Sequence, residues 1–321
     1  MAGDFFYLMN NLKGSDLYTL DQIDQENIMA FFRQAEKMRK ASPASLLKTL
    51  HGKIAALLFY EPSSRTFSSF SSAMKRLGGQ TVEYQNPLQT SSAVKGETIE
   101  DTAHVFSNYV DALIVRHAEV GTVKRMADCV TIPVINAGDG IGEHPTQALL
   151  DMYTLWRKHR KLDNLKGLMV GDLKNGRTIH SLLKGLSKYK NNIIYLLSPK
   201  ELKLSETDKK EYQSHGVKLI EITSSQEIPA DCHFWYWTRV QKERFTDIKE
   251  YEKLKLRFIL DKKLVDKRAG KRTLLMHPLP RVGEVAIDVD VDPRATYLHE
   301  QLKNGMYVRM ALLKMILGDR D

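Results

Sequence analysis

Cysteine is scarce in this chain, and long apolar runs are missing from it. The 321 residues include two cysteines, Cys129 and Cys232, whose separation does not match the paired spacing of a zinc site. No window approaches the ~18 consecutive apolar residues of a membrane-spanning helix, and residues 1–7 lack the basic flank and apolar core of a secretory signal. We therefore expect no metal, no membrane segment and a reducing, cytoplasmic location for two free thiols.

Positive charge is in modest excess. The 48 lysines and arginines outnumber the 39 acidic residues, so the formal net charge is +9. Three explanations of that excess are open: a nucleic-acid partner, anionic substrates, or a basic surface without a specific partner. Basic residues are dense at 157–161 and 262–272, but acidic residues are interspersed along the chain and no aromatic ladder accompanies them. We expect no nucleic-acid partner.

Short apolar runs alternate with helical patterns along the whole chain. Phe67, Phe70, Met74 and Leu77 recur at helical spacing before a Gly-Gly stop, and similar stretches recur later. Strand–helix alternation of this kind predicts parallel sheets covered by helices. The predicted strands are 53–60, 81–84, 112–115, 130–135, 168–170, 193–197, 219–223, 234–237 and 273–276.

Two longer amphipathic stretches, 143–159 and 300–317, predict helices that join the halves of the chain. The predicted fold class is α/β, with two doubly wound domains that each have a central parallel sheet and are joined by interdomain helices. The first domain comprises 1–146 plus 300–321, and the second comprises 147–299.

The stretch FYEPSSRTFSSF at 59–70 brings Ser63, Ser64, Arg65 and Thr66 to a turn from a strand into a helix. Ligands of parallel sheets bind at the carboxyl ends of the strands. The N–H groups and the dipole of a helix start favour an anion, and arginine suits phosphate oxygens. Plain N-capping by a serine, with Arg65 in solvent, is the alternative, and the spacing alone leaves both open. The turn is not a Walker loop.

Several stretches together resemble one family. The turn at 63–66 is similar to the Ser-Thr-Arg-Thr carbamoyl phosphate signature of the aspartate and ornithine carbamoyltransferases. The resemblance covers nearly the whole chain through KGET at 95–98, VRH at 115–117, HPTQALLD at 144–151, GRTIHSL at 177–183, TRVQKER at 238–244 and HPLPR at 277–281.

The family resemblance implies a reaction and two substrates. The first domain would bind carbamoyl phosphate, and the second would bind L-aspartate. The carbamoyl group would pass directly to the aspartate amine, giving N-carbamoyl-L-aspartate and phosphate, an early step of pyrimidine synthesis. No cofactor is implied, and no nucleophile–base–orienter pattern suggests a covalent intermediate.

The resemblance also implies roles in the first domain. Arg65 and Thr66 would act in catalysis with Arg116, His144 and Gln147, and Ser63 and Ser64 would bind the phosphate. From the residues alone, two alternatives stay open: Arg116 at a strand end as a surface ion-pair partner, and His144 before a proline as a helix cap.

Ser91 and Lys95 lie in the polar loop QTSSAVKGET, which composition alone would describe as mobile and exposed. The family resemblance implies instead that both side chains reach the active site of a neighbouring subunit in a homotrimer. Some relatives also bind a separate regulatory chain, and whether this protein does so stays open.

The acceptor residues are expected in the second domain. Two arginines, Arg177 and Arg239, would bind the two carboxylates of aspartate with help from Gln241. Backbone carbonyls of Pro278 and Leu279 would position the amine and the carbamoyl group, although a stiff turn explains the same prolines. Ornithine-type relatives have Cys where Pro278 stands, so aspartate is favoured.

Three positions depart from the common family pattern. Ser64 replaces a threonine, Phe67 replaces an arginine near the phosphate, and Asn175 replaces a tyrosine. The alternatives to aspartate transfer are another amine acceptor such as ornithine, or a silent anion-binding subunit. Every expected reacting group is present, which disfavours the silent subunit.

Overall fold

The computed structural model describes residues 12–86, 95–242 and 245–319. It divides into two compact units: Met1–Leu149 with Asn304–Asp321 form unit 1, and Leu150–Lys303 form unit 2. The chain passes from one unit to the other within two helices. Among the described residues, no helix combines the length and the apolar character needed to cross a bilayer.

All nine strands of the described residues are in two fully parallel sheets, which confirms the predicted fold class. The order is β2-β1-β3-β4 in unit 1 and β7-β6-β5-β8-β9 in unit 2. The strands are β1 (Ile54–Phe59), β2 (Gln80–Gln85), β3 (Ala112–His117), β4 (Val134–Asp139), β5 (Lys166–Val170), β6 (Ile193–Leu197), β7 (Lys218–Ile222), β8 (Phe234–Trp237) and β9 (Leu274–Met276).

Helices connect the strands, as parallel pairing requires. They are α1 (Gln25–Lys40), α2 (Pro43–Leu46), α3 (Ser64–Arg76), α4 (Ile99–Ser107), α5 (Thr122–Cys129), α6 (Pro145–His159), α7 (Arg177–Ser187), α8 (Glu206–Ser214), α9 (Ile248–Leu254), α10 (Lys262–Arg268) and α11 (Glu300–Leu317).

Helix α3 shows how local sequence determines the fold around the predicted phosphate site. Phe70 and Met74 are fully buried one turn apart, so the helix packs one apolar face on the sheet. Gly78 follows with φ of +83°, and a Cβ there would lie 1.8 Å from the carbonyl oxygen of Leu47. Only glycine fits that position, which is why the chain turns back into β2 there.

Two predicted boundaries in unit 1 were wrong. The strand predicted at 130–135 begins at Val134, because 130–133 form the turn after α5 and Pro133 has no N–H to donate to the ladder. Strand β3 extends two residues beyond the predicted end, so Arg116 lies within the strand, where it pairs in register with Phe59.

Each sheet contains one point at which the strand order reverses. In unit 1 it lies between β1 and β3, and in unit 2 between β5 and β8. In open parallel sheets, the crevice at the carboxyl ends of such strands is the usual ligand site. The segments that follow β1, β5 and β8 contain half of the fourteen residues singled out from the sequence, and Arg116 lies near the end of β3.

Candidate functional site

The 63–66 turn follows β1 and begins α3. Ser63 is the N-cap residue in extended backbone, and its side chain makes no capping hydrogen bond. The simple capping interpretation therefore does not hold for Ser63. Ser64 and Arg65 are exposed in the first turn, where N–H groups and the helix dipole favour an anion.

Thr66 and His144 are brought together at this helix start. Both are buried, and the Thr66 hydroxyl lies 3.4 Å from Nε2 of His144. The other ring nitrogen, Nδ1, lies 3.5 Å from the hydroxyl of Thr146. The two residues are 78 positions apart in the sequence, and the pairing places an imidazole beside the predicted phosphate turn.

The segment before His144 is held by a buried polar network. The amide of Asn136 donates to the carbonyl of Tyr18 and accepts from the N–H of Gly138. The Glu143 carboxylate accepts from the hydroxyl of Thr19 at 2.6 Å and from the N–H of Leu20 at 2.9 Å. Helix α6 begins at Pro145 rather than at the predicted 143, since a proline disfavours helical backbone in the residue before it.

Arg116 is largely buried rather than a surface residue. Its side chain is 12% exposed, and its guanidinium lies 3.1 Å from the carboxylate of Glu61 and 3.4 Å from the carbonyl of Ala137. Glu61 comes from the same turn as Ser63, so β3 and the β1–α3 turn are joined by this ion pair. Sequence reasoning did not single out Glu61.

Arg309 is a second residue that sequence reasoning missed. This buried arginine of α11 donates to the hydroxyls of Ser69 at 3.0 Å and Thr146 at 3.4 Å, and lies over the ring of Phe70 at 5.1 Å. It therefore connects α3 and the start of α6, the two elements that position Thr66 and His144.

The other predicted residues of unit 1 are placed as follows. Gln147 is half-buried in the first turn of α6, and its N–H donates to the His144 carbonyl at 2.9 Å. Lys95 is exposed. Ser91 lies outside the described residues. Phe67 packs edge-on against Phe59 at 5.2 Å, so the side chain that replaces the usual arginine is turned toward β1.

In unit 2, Asp172 lies two residues after β5, at the strand-order reversal. Its carboxylate is fully buried and accepts from the backbone N–H and side-chain amide of Asn175 at 3.0 and 3.1 Å. Burial raises the pKa of Asp172, although these hydrogen bonds and the nearby Arg239 oppose the rise. Asp172 was not predicted; its signal was only its position after a strand.

The three predicted acceptor residues surround this carboxylate turn. Arg177 is half-buried as the first residue of α7, and Arg239 is half-buried directly after β8. The side-chain amide of Gln241 donates to the carbonyl of Asn175 at 2.8 Å. The turn after β5 and the turn after β8 are thus joined through Asn175, the position that departs from the family pattern.

The loop after β9 is held by a buried pair. Nε2 of His277 lies 2.7 Å from the Glu284 carboxylate, and Nδ1 of His277 accepts from the N–H of Leu279 at 2.8 Å. Leu279 has φ of +58° and precedes a cis peptide bond to Pro280. Pro278 and Leu279 are half-buried, and this anchoring sets the direction of their carbonyls.

Within the described parts of the chain, no three side chains of His, Cys, Asp or Glu come together as a metal ion would require. The chemistry available here is electrostatic: arginines, hydroxyls, an imidazole and helix starts, set at the reversal points of two parallel sheets. Such a set binds anions and stabilises developing negative charge.

Comparison with known proteins agrees with this geometry. Family models for the aspartate/ornithine carbamoyltransferase carbamoyl-P binding domain and Asp/Orn binding domain match residues 15–157 and 163–316. Chloroplastic aspartate carbamoyltransferase of Arabidopsis thaliana is 46% identical over 307 residues, which is 94% of this chain and 78% of that protein.

Two solved structures are similar throughout. The catalytic subunit of Methanocaldococcus jannaschii aspartate transcarbamoylase has a TM-score of 0.86 at 42% identity, covering 94% of this chain and 97% of that one. Aspartate transcarbamoylase from Trypanosoma cruzi, in complex with carbamoyl phosphate and aspartate, has a TM-score of 0.86 at 36% identity, covering 96% and 98%. This chain belongs to the aspartate/ornithine carbamoyltransferase family.

Proposed function

We propose that this protein transfers the carbamoyl group of carbamoyl phosphate to the amine of L-aspartate, giving N-carbamoyl-L-aspartate and phosphate. The observation that carries the proposal is the contact of Thr66 with His144, together with the ion pair that holds Arg116 on Glu61 of the turn before α3. These residues offer donors to both a phosphate and a carbonyl oxygen at the strand-order reversal of unit 1. In a cell, the reaction would serve pyrimidine synthesis.

The proposed chemistry uses positioning and electrostatics. Ser63, Ser64 and Arg65 bind the phosphate, while Thr66, Arg116 and His144 donate to the oxygen that gains negative charge as the carbonyl carbon becomes tetrahedral. Gln147 orients the carbamoyl NH2. Alignment of two bound reactants supplies roughly 7–11 kcal/mol of the barrier reduction, and removing one oxyanion donor costs about 3–4 kcal/mol.

The acceptor is proposed to be aspartate. Arg177 and Arg239 flank the reversal point of unit 2, and two arginines suit the two carboxylates. Pro278 follows His277, where ornithine-type relatives have Cys. The relatives reported above are named as aspartate carbamoyltransferases, which supports the same acceptor.

Product formation from carbamoyl phosphate tests the proposal, with L-aspartate, L-ornithine or no acceptor added. We expect carbamoyl aspartate only when aspartate is present. Ornithine-dependent product would refute the assignment of aspartate as acceptor, but it would remain consistent with the proposed phosphate site. If folded and assembled protein forms no product with either amine, transfer by this chain alone is refuted. The remaining alternative is then the silent anion-binding subunit.

We also propose a homotrimer in which Ser91 and Lys95 complete the active site of a neighbouring subunit. Lys95 is exposed, as a residue that acts on another subunit must be. The Lys95→Ala and His144→Ala proteins should each be nearly inactive. After the two are unfolded, mixed equally and reassembled, roughly one quarter of the sites would combine an intact Lys95 with an intact His144.

Recovery of about that fraction of wild-type activity is the expected result. Each variant reassembled alone serves as the control and should recover nothing. If the mixture also recovers nothing while wild-type protein reassembles with full activity, the two residues act within one subunit, and the shared site is refuted.

A cytoplasmic location stays a prediction, and the presence of a regulatory partner chain stays open. The location rests on the low cysteine content, whereas the plant relatives are named chloroplastic. Imaging of the tagged full-length protein in its source cells distinguishes the two compartments, and purification of the native complex reveals whether a second chain accompanies it.

A further inference from the structure

Unit 2 has a cavity at the edge of its sheet opposite the candidate site. It measures about 360 Å³ and is lined by the segments that lead into three strands: His159 and Lys161 before β5, 230–233 before β8, and Gly270 with 272–273 before β9. That volume falls within the roughly 300–1,000 Å³ typical of small-molecule sites. The residues of the candidate site follow the carboxyl ends of strands instead.

Positive charge predominates in the lining. Lys161 and Arg272 are exposed cations, and the carboxylate of Asp231 is bound by Lys166 in an ion pair. A further cation outside the lining, Lys158, lies close enough to act on His159. After Asp231 and Lys166 neutralise each other, the cavity has a net positive surface that suits an anion.

Two imidazoles line the cavity, and His233 adds a proton donor to it. Nε2 of His159 lies 3.0 Å from the carbonyl oxygen of His233, which can only accept, so that nitrogen carries a proton. Nδ1 of His233 accepts from the N–H of Lys166 at 2.9 Å, so Nε2 of His233 carries its proton. The two rings meet edge to face at 5.1 Å.

Both imidazoles are held neutral by their surroundings. Burial, then His233, and then Arg272 and Lys158 lower the pKa of His159 to about 4. Burial and then Lys161 lower the pKa of His233, while Asp231 opposes them. An anion in the cavity would reverse these effects, since a negative charge favours the imidazolium.

A metal does not explain the cluster. His159, Asp231, Cys232 and His233 are all ligand types, yet among the described residues no three such side chains converge. Burial raises the pKa of the Cys232 thiol to about 12, so a thiolate ligand or nucleophile is not available there.

We propose that this cavity binds the phosphate group of a small molecule, through Arg272, Lys161 and the Nε2–H group of His233, with His159 beside them. The site is separate from the substrate site and independent of the proposed reaction. Its ligand is either free phosphate or a phosphorylated metabolite; the volume leaves room for more than one phosphate group.

NMR of the full-length protein with ¹³C-labelled histidine tests the proposal. The His159 and His233 signals are assigned from His159→Gln and His233→Gln proteins, and phosphate, pyrophosphate and a nucleoside monophosphate are titrated separately. At least one probe should move both signals saturably and raise their titration midpoints by about 1 pH unit or more, as a charge within about 4–6 Å does. The probe that binds most tightly shows whether the ligand is free phosphate or a phosphorylated metabolite.

Arg272→Gln should weaken this binding at least about tenfold, whereas Lys271→Gln, an exposed neighbour outside the lining, should not. The shifts should persist in Arg116→Met protein, where the substrate site is impaired. The proposal is overturned if no probe moves the two signals at millimolar concentration, or if Arg272→Gln and Lys271→Gln respond alike.

Discussion

Replacing Glu284 with glutamine tests whether its buried pair with His277 holds the loop after β9. One carboxylate oxygen accepts from Nε2 of His277 at 2.7 Å, and the other accepts from the N–H of Val282 at 2.8 Å. Because Leu279 donates to Nδ1 of His277, the ring proton lies on Nε2. Glutamine has the same shape but only one acceptor oxygen. Whichever way its amide is turned, its NH2 group must therefore face either the Nε2–H of His277 or the N–H of Val282.

A buried donor left without an acceptor costs about 1–3 kcal/mol, and more when the lost partner was charged. We therefore expect Glu284→Gln to lower the free energy of unfolding by about 2–3 kcal/mol at pH 7. Burial would raise the pKa of Glu284, but the hydrogen bonds from His277 and Val282 hold it below its ordinary value.

The depressed pKa gives the pH dependence its sign. The stabilisation by Glu284 is fully present above the unfolded-state pKa of about 4.3. It is lost as the pH falls through the lower folded-state value, where the carboxyl becomes protonated. The difference between wild type and Glu284→Gln should therefore shrink below about pH 4.

Tryptophan fluorescence during urea unfolding is the assay, because the three tryptophans, Trp156, Trp235 and Trp237, all belong to unit 2. Glu206→Gln is the matched control, since that side chain is 80% exposed in its pair with Lys209. An unfolding midpoint for Glu284→Gln that equals the control at pH 7, or a deficit that persists on acidification, would refute this account of the loop.

Three further substitutions test the roles assigned to other arginines. Arg116→Met should lower kcat by about 10²–10³-fold in steady-state assays because it removes an oxyanion donor; unchanged kcat would exclude that role. Arg239→Met should raise the KM for aspartate while calorimetry shows unchanged binding of carbamoyl phosphate, and equal loss of both would contradict the assignment. Arg309→Met should cost about 2–4 kcal/mol of stability by circular dichroism, because the bonds to Ser69 and Thr146 are lost; an unaltered transition would show that this connection is dispensable.

The architecture was predictable because its signals are local. Runs such as Ile193–Leu197 and Phe234–Trp237 are apolar throughout, as strands of a covered parallel sheet must be, and the structure has both strands at those residues. Phe70 and Met74 likewise indicated α3 through their spacing alone. The start of β4 was misplaced because the apolar residues before Pro133 form a turn, and hydrophobicity does not distinguish the two.

The polar contacts of the site were harder to predict from the sequence. Arg309 and Ser69 are 240 positions apart, and no local pattern indicates that they touch. Asp172 and Glu61 follow strands, but a carboxylate at a strand end is too common to interpret without its partners. The predicted roles of Ser63, Arg65, Gln147 and Arg177 rest on the family resemblance and stay predictions until the variants are assayed.

The contacts of Arg309 also constrain the order in which the protein can be completed during translation. Unit 2, at Leu150–Lys303, is synthesised between the two parts of unit 1. Until residue 309 has left the ribosome, the hydroxyls of Ser69 and Thr146 lack the guanidinium that joins them. Although the synthesis of unit 1 begins first, unit 2 is therefore the first unit whose residues are all synthesised. Until α11 follows, the surface of α3 that Arg309 contacts must stay soluble in the nascent chain.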